Sequence, residues 1–348
     1  MAVVGTSVVA PTGMLTLAEQ LAREDKNGNV APVIEALNQT NEIIQDLVVR
    51  EGNLPTGDQR NIRTGLPDVY WRQINHGVPA SHSTVATVVE TCGQMEAHSC
   101  VDAKVMDLNG HSAEFRALED RPFIEAMTQQ FAHTLFYGNA TKASEGFTGF
   151  ATRYSSKKAG NAKNIIDCGG TGNNLTSIYL VGWGDSVYCP YPQGTKAGIQ
   201  TTDLGKTKLY DENNHPFMGY ETIYDWDVGL MVLDWRYVVR LCNIDVNQLF
   251  DGKAGTIGSG DVKTDTNILM KLTRAMGLIP RGKNTKLKLY MNSDVAQGLD
   301  TVASRSHSDV IKYMDATEEF GAPSAWKLFK GVPIRQCDQI VNTETQVK

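Results

Sequence analysis

Nothing in the 348-residue chain approaches the ~20 consecutive apolar residues that would cross a bilayer as a helix. The longest apolar runs, such as Gly229–Leu233, are strand-sized, so no membrane partner is expected. An excess of positive charge is also missing. Thirty-three basic against 39 acidic residues leave a net charge of -6, which excludes a bulk polycation that grips nucleic acid by charge alone. The first basic residue is Arg23. The start therefore has no charged n-region of a signal peptide, and a cytosolic site of synthesis is expected. Cysteines are few and scattered, at 92, 100, 168, 189, 242 and 337. No two have the spacing of a zinc knuckle or a redox pair, and in a reducing compartment they read as small buried apolar residues. Without a secretory route the sequons at Asn38, Asn139 and Asn174 carry little meaning. Apolar residues are not lacking: at 41% hydrophobic and 21% charged the chain has material for a core, which excludes wholesale disorder.

Catalytic signatures are missing too. Gly169–Gly172 and Gly255–Gly260 are rich in glycine, but neither is followed by Lys-Ser/Thr or sits between a clear strand and helix. They read as loops rather than phosphate cradles. Ser259 lacks the G-x-S-x-G spacing of a nucleophile elbow. His98 and Cys100 share one face of an extended segment, but one pair falls short of the three or four ligands zinc needs. No catalytic, metal-binding or cofactor-binding residue is assigned and no cofactor is called for.

Mixed secondary structure is clearly present. Leu15–Arg23 could form a short helix. After the DKNGN break at 25–29, Pro32 suits the first turn of another, with a stripe at Val33, Ile34, Leu37, Ile44, Leu47 and Val48. The strongest helix lies within 112–138, where Phe123, Ile124, Met127, Phe131 and Leu135 recur at three- and four-residue spacing; Pro122 is expected in its first turn behind Asp120. Ser177–Trp183 reads as a buried strand, Lys206–Tyr210 and Tyr220–Tyr224 as a hairpin, and Gly229–Ile244 as one long extended stretch. Residues 252–260 read as a flexible loop. Ile268–Met276 forms a helical face with Lys271 and Arg274 in its last turn and Gly277 as terminator. Leu287, Leu289 and Met291 alternate as in a half-buried strand, Ser293 is expected to cap the next helix, and 326–337 reads as a strand pair. The order is not a βαβ alternation, which argues α+β.

Residues 53–92 stand apart. Turn residues are frequent, and β-branched and aromatic pieces (Val69–Trp71, Thr84–Val89) lie between them. With few large aliphatics the segment cannot build its own core and reads as a long projecting hairpin, reaching about 50–65 Å for strands of 15–20 residues. Such an arm needs a surface to rest on, and another subunit is the natural one. Arg60, Arg63, Tyr70, Trp71 and Arg72 are its candidate intersubunit residues, because Trp, Tyr and Arg dominate protein interfaces. A second candidate is the acid-free stretch 271–288, with Lys271, Arg274, Arg281 and Lys283. It reads either as a lumen-facing or scaffold-contacting basic patch or as a solvated helix end and strand face. The second is favoured, because no aromatic residue interleaves to stack on bases before Tyr290.

Several phrases together carry a resemblance: Glu51–Gly57 (EGNLPTG), Arg63–Pro67 with Val69–Arg72, Phe123–Met127, Thr134–Asn139, Phe147–Phe150 with Arg153–Ser155, Tyr179–Gly184 and Asp234–Arg240. In this order, from about residue 15 to the end of the chain, they resemble the major capsid proteins of tailed bacteriophages. The resemblance implies the Hong Kong 97-like fold. Residues 1–51 would then be an N-terminal arm, 52–108 an extended loop overlapping a neighbour and 109–144 a peripheral domain with a spine helix. Residues 145–225 and 246–325 would form an axial domain, with strands at 226–245 and 326–348 returning to the periphery. It implies a subunit that self-assembles into hexamers and pentamers of an icosahedral head around double-stranded DNA, in the virion, after assembly in the bacterial cytoplasm. Portal, scaffolding and decoration proteins are the implied partners, with only non-specific proximity to the packaged DNA. An encapsulin-like cargo shell is the alternative, and a hydrolase using the loops near 168–174 or 252–260 a more distant one. Some members of this fold weld subunits through a lysine on the extended loop. Here no lysine lies between Lys26 and Lys104, so no such crosslink is expected. The chain starts almost directly with the arm, so a separate scaffolding protein is expected.

Overall fold

The structure is a computed structural model and describes residues 41–106, 112–211, 213–253, 256–259, 267–280, 285–306, 311–314 and 326–348. The expected helix at 15–23, and most of the one after Pro32, lie outside these residues. In chain order the elements are α1 (Ile43–Asp46), β1 (Val49–Glu51), β2 (Gly57–Gly65), β3 (Thr84–Thr91), β4 (Gly93–Asp102), α2 (Ala103–Met106), α3 (Ser112–Tyr137), α4 (Phe150–Arg153), β5 (Ile165–Asp167), β6 (Leu175–Trp183), β7 (Val187–Tyr191) and β8 (Gln200–Tyr210). They continue with β9 (Pro216–Val228), β10 (Met231–Val232), β11 (Val238–Asp245), α5 (Val246–Asp251), α6 (Ile268–Leu278), β12 (Lys286–Met291), α7 (Ser293–Ser306), β13 (Ile311–Met314), β14 (Trp326–Phe329) and β15 (Val332–Gln336). No helix among the described residues is long and apolar enough to cross a membrane.

The chain divides into two compact units. The smaller contains Gln94–Gln130 and Gly198–Asp227, the larger Gln39–Gly93, Phe131–Ala197 and Val228–Lys348. In the smaller unit the sheet order is β4-β9-β8. Phe123 of α3 stacks on Tyr224 of β9 with centroids 5.9 Å apart. Arg116 of the same helix reaches Asp203 at 2.6 Å and Thr222 at 3.2 Å, with its guanidinium over Tyr220. The expected hairpin of β8 and β9 is present, and longer than its alternating core suggested.

The larger unit is built on a seven-stranded mixed sheet, ordered β13-β14-β15-β12-β6-β11-β5. Every residue of β6 is buried, which explains its unbroken apolar run: a strand covered on both faces need not alternate. Ile178 and Leu180 join Leu272 and Ala275 of α6 and Leu299 and Val302 of α7 in one cluster. On the opposite face Tyr179 meets Phe136 of α3 at 5.1 Å between centroids, and Trp183 meets Phe150 of α4 edge-on.

Five local expectations need correction. The long helix starts at Ser112, so Pro122 lies inside it; at 26 residues it spans about 39 Å. Pro122 is exposed, so the carbonyl left without its amide partner can turn to water. The extended stretch 229–244 is broken by a 3₁₀ turn at Trp235–Tyr237, because the Asp234 side chain accepts from the Arg236 amide and caps it. Helix α6 runs through Gly277 to Leu278, which puts Lys271 in its first turn and Arg274 mid-helix rather than at its end. Asn292, not Ser293, caps α7, its Oδ1 accepting from the Asp294 amide at 2.8 Å. In β12 the alternation holds, but both faces are covered. Lys288 and Tyr290 turn to Asp46 of α1, at 3.0 and 3.2 Å, and Arg335 of β15 joins them at 2.9 Å.

Candidate intersubunit surface

Strands β2 and β3 pair antiparallel from Gly57↔Thr91 to Gly65↔Thr84. The paired part spans about 30 Å, shorter than the sequence suggested. Residues 66–83 continue past it without a ladder, because Pro67 and Pro79 cannot donate to one. Both faces of the hairpin are mostly exposed. At the tip Trp71 is fully exposed (relative area 103%), Val69 is 90% and Ile74 89% exposed, and Leu66, Tyr70 and Val78 are also open. A monomer rarely leaves so many adjacent apolar side chains in water. The tip holds its shape by local bonds. Arg72 Nε donates to the His76 carbonyl at 3.0 Å and Ser81 Oγ to the Asp68 carbonyl at 2.7 Å, while Asn75 takes a φ of 69°.

The candidate residues fall in two places. Tyr70, Trp71 and Arg72 stand at the tip and Arg63 on the exposed part of β2. Arg60 sits at the root, where its Nε donates to Asp58 at 3.1 Å, and that bond raises its pKa. The root also contains what sequence reasoning missed. Asp58 is fully buried and accepts from the Tyr188 hydroxyl at 2.5 Å. Burial, then that bond, pushes the Tyr188 phenol up to about 12, so it stays a donor. Arg153 of α4 grips Glu90 of β3 with both arms, at 2.6 and 2.8 Å. No local motif announces these pairs, whose members lie 63 to 130 residues apart.

The described residues of the basic stretch meet different surroundings. Lys271 donates to the Asp167 carbonyl at 2.8 Å, Arg274 is exposed and Lys288 is bound to Asp46. Arg281 and Lys283 lie outside the described residues. Among the described residues no three His, Cys, Asp or Glu side chains cluster as metal ligands. His98 instead bridges Glu221 at 3.0 Å and Glu96 at 2.9 Å. Burial pushes the thiols of Cys168 and Cys242 up, to about 12 and about 11, away from reactive thiolates. A cavity of about 460 Å³ is lined by Tyr137, Lys142, Arg240, Glu344 and neighbours. Its buried charges neutralise each other, Arg240 bonding Glu344 at 2.7 Å, and neither glycine-rich loop lines it.

A chain of the bacteriophage Epsilon15 structure matches this one with a TM-score of 0.73 at 25% identity, over 100% of this chain and 99% of that one. A chain of the bacteriophage JBD30 capsid matches at 0.47 and 10% identity, over 88% and 93%. The SrpI encapsulin of Synechococcus elongatus PCC 7942 matches at 0.44 and 11%, over 67% and 97%. Comparison with curated protein sequences finds no match. The architecture is the Hong Kong 97-like α+β fold of phage capsid subunits. The model of the family described as Major capsid protein GP7 matches residues 25–348, and the chain belongs to that family: its role is structural, in the capsid shell of a bacteriophage virion.

Proposed function

We propose that copies of this chain join as hexamers and pentamers into the icosahedral head of a tailed bacteriophage, enclosing its double-stranded DNA, and that the tip of the β2–β3 hairpin lies across the adjacent copy. One observation carries this reading: Trp71, Val69 and Ile74 are exposed side by side on a projection whose own strands offer them no cover. Many such contacts, each weak, add up to a stable closed shell because they are linked. No lysine lies between Lys26 and Lys104, so these contacts are non-covalent and no lysine crosslink arises from this loop. The net charge of -6 suits a wall that need not grip its contents. The division into arm (1–51), extended loop (52–108), spine-helix segment (109–144), axial segments (145–225, 246–325) and peripheral strands (226–245, 326–348) belongs to the same reading. So do assembly in the host cytoplasm on a separate scaffolding protein and attachment to a portal, with a decoration protein as a further partner.

The test is Trp71→Ala, followed by size exclusion and negative-stain microscopy. The exposed side chain makes no contribution to folding, so the variant keeps its melting temperature. Losing an interface anchor worth about 2 kcal/mol raises the concentration needed for assembly roughly 30-fold. Shells forming at an unchanged concentration would refute the docking role, and a ~38 kDa monomer from the unsubstituted chain under all conditions would refute the shell itself.

A further inference from the structure

Asp58 of β2 and Glu90 of β3 are direct cross-strand partners at the root of the hairpin. Two carboxylates so placed repel each other, and within the hairpin only Asp58 has a cation, Arg60 at 3.1 Å. Each is held separately by the body of the larger unit. Glu90 takes both arms of Arg153, and Arg153 is itself fixed by its Nε on the Thr148 carbonyl at 3.0 Å and its Nη2 on the Leu230 carbonyl at 3.2 Å. Asp58 takes the hydroxyl of Tyr188, which sits on β7, the middle strand of the sheet β1-β7-β10. The other Asp58 oxygen, Oδ1, is buried without a hydrogen bond among the described residues, a cost in stability kept at this point. The backbone is equally close here: a Cβ on Gly57 would lie 2.1 Å from the Glu90 carbonyl oxygen. Beyond this pair the hairpin is mostly exposed. Each strand is thus tied to the body by a side-chain bond of its own, Asp58 of β2 to Tyr188 and Glu90 of β3 to Arg153. Two such points fix the direction of a projecting rod, where one would leave it to pivot.

We infer that the Asp58–Glu90 pair, held by Tyr188 and Arg153, is a positioning device that sets the angle at which the hairpin leaves the subunit. This rests on the reading of the tip as the contact with the adjacent copy. The device does not make that contact; it makes every copy offer it at one angle, and a shell of uniform curvature requires that. Loosening it leaves association intact and spoils its geometry.

The experiment compares Glu90→Gln and Asp58→Asn with Trp71→Ala in the full chain, at temperatures well below each variant's melting point. Particle diameters are measured by electron microscopy. E90Q and D58N are expected to assemble, with the fraction of particles outside the main diameter class, as tubes or open sheets, rising about tenfold or more, as the loss of a charge-assisted bond implies. If E90Q does not fold, Arg153→Lys, which keeps the charge and one bond but not the paired grip, carries the test with the same expectation. A folded E90Q, D58N or R153K that forms particles as uniform as those of the unsubstituted chain overturns the positioning role. Normal assembly of W71A would instead overturn the docking role of the tip.

Discussion

Replacing Glu344 by glutamine removes a buried charge that three groups share. Arg240 Nη2 bonds it at 2.7 Å and the Tyr137 hydroxyl at 2.6 Å, and Ser177 donates to it as well. Both charged side chains are only 5% exposed. Arg240 keeps the carbonyls of Ala151 at 3.1 Å and Tyr154 at 2.9 Å, but these are neutral acceptors. Breaking a buried ion pair while leaving one charge in place costs about 3–5 kcal/mol. At about 2–4 °C per kcal/mol for a unit of 150–250 residues, the melting temperature should fall by about 6–20 °C. Differential scanning calorimetry of the unassembled subunit reads this directly. The double variant Arg240→Met, Glu344→Leu should melt above either single variant, because no unpaired charge remains in the core. An E344Q subunit melting within about 2 °C of the original, or a double variant no better than the worse single one, would refute the reasoning.

Other expectations follow from single sites. A Cβ on Gly149 would meet the carbonyls of Thr134, Leu135 and Phe136 at 2.5 to 2.8 Å, so Gly149→Ala should push α4 off the end of α3 and lower stability by about 1–3 kcal/mol in urea denaturation. The hydrogen bond to Glu221 raises the pKa of His98 against an opposing effect of burial. A raised folded-state value means that its stabilisation is whole below the ordinary value of 6.5 and is lost as pH rises through the folded-state value. The group is half exposed, so the gain is at most about 1 kcal/mol. His98→Gln should flatten the difference between urea midpoints at about pH 5.5 and about pH 8.5; an unchanged difference would contradict it.

Legibility in the sequence followed the range of the interactions. The apolar run of β6, the spacing along α3 and the turn-rich, coreless segment after Gly52 are local patterns, and each appears as an element of the expected kind. Local rules failed where a neighbour overrode them. Pro122 reads as a helix start until the residues ahead of it prove helical too, and Asp234 forms a capped turn inside what reads as one strand. Long-range pairs left no trace. Asn243, with a φ of 57° at a bulge in β11, holds the Val347 backbone by both ends of its amide, at 3.0 and 2.8 Å, across 104 residues. Asp46 gathers Lys288 and Arg335 in the same way. The tip of the candidate site was legible because exposed aromatics on a coreless segment are a compositional signal. Its root was not, because Asp58, Glu90, Tyr188 and Arg153 are ordinary residues until the fold brings them together.

Hydrogen exchange over residues 66–83, compared between unassembled subunits and closed shells, tests the central claim most directly. If the tip rests on an adjacent copy, its amides exchange freely in the subunit and slow markedly in the shell, with Tyr70–Ile74 slowing most. Equal exchange in both states would mean that nothing covers Trp71 and that the hairpin does not join the subunits.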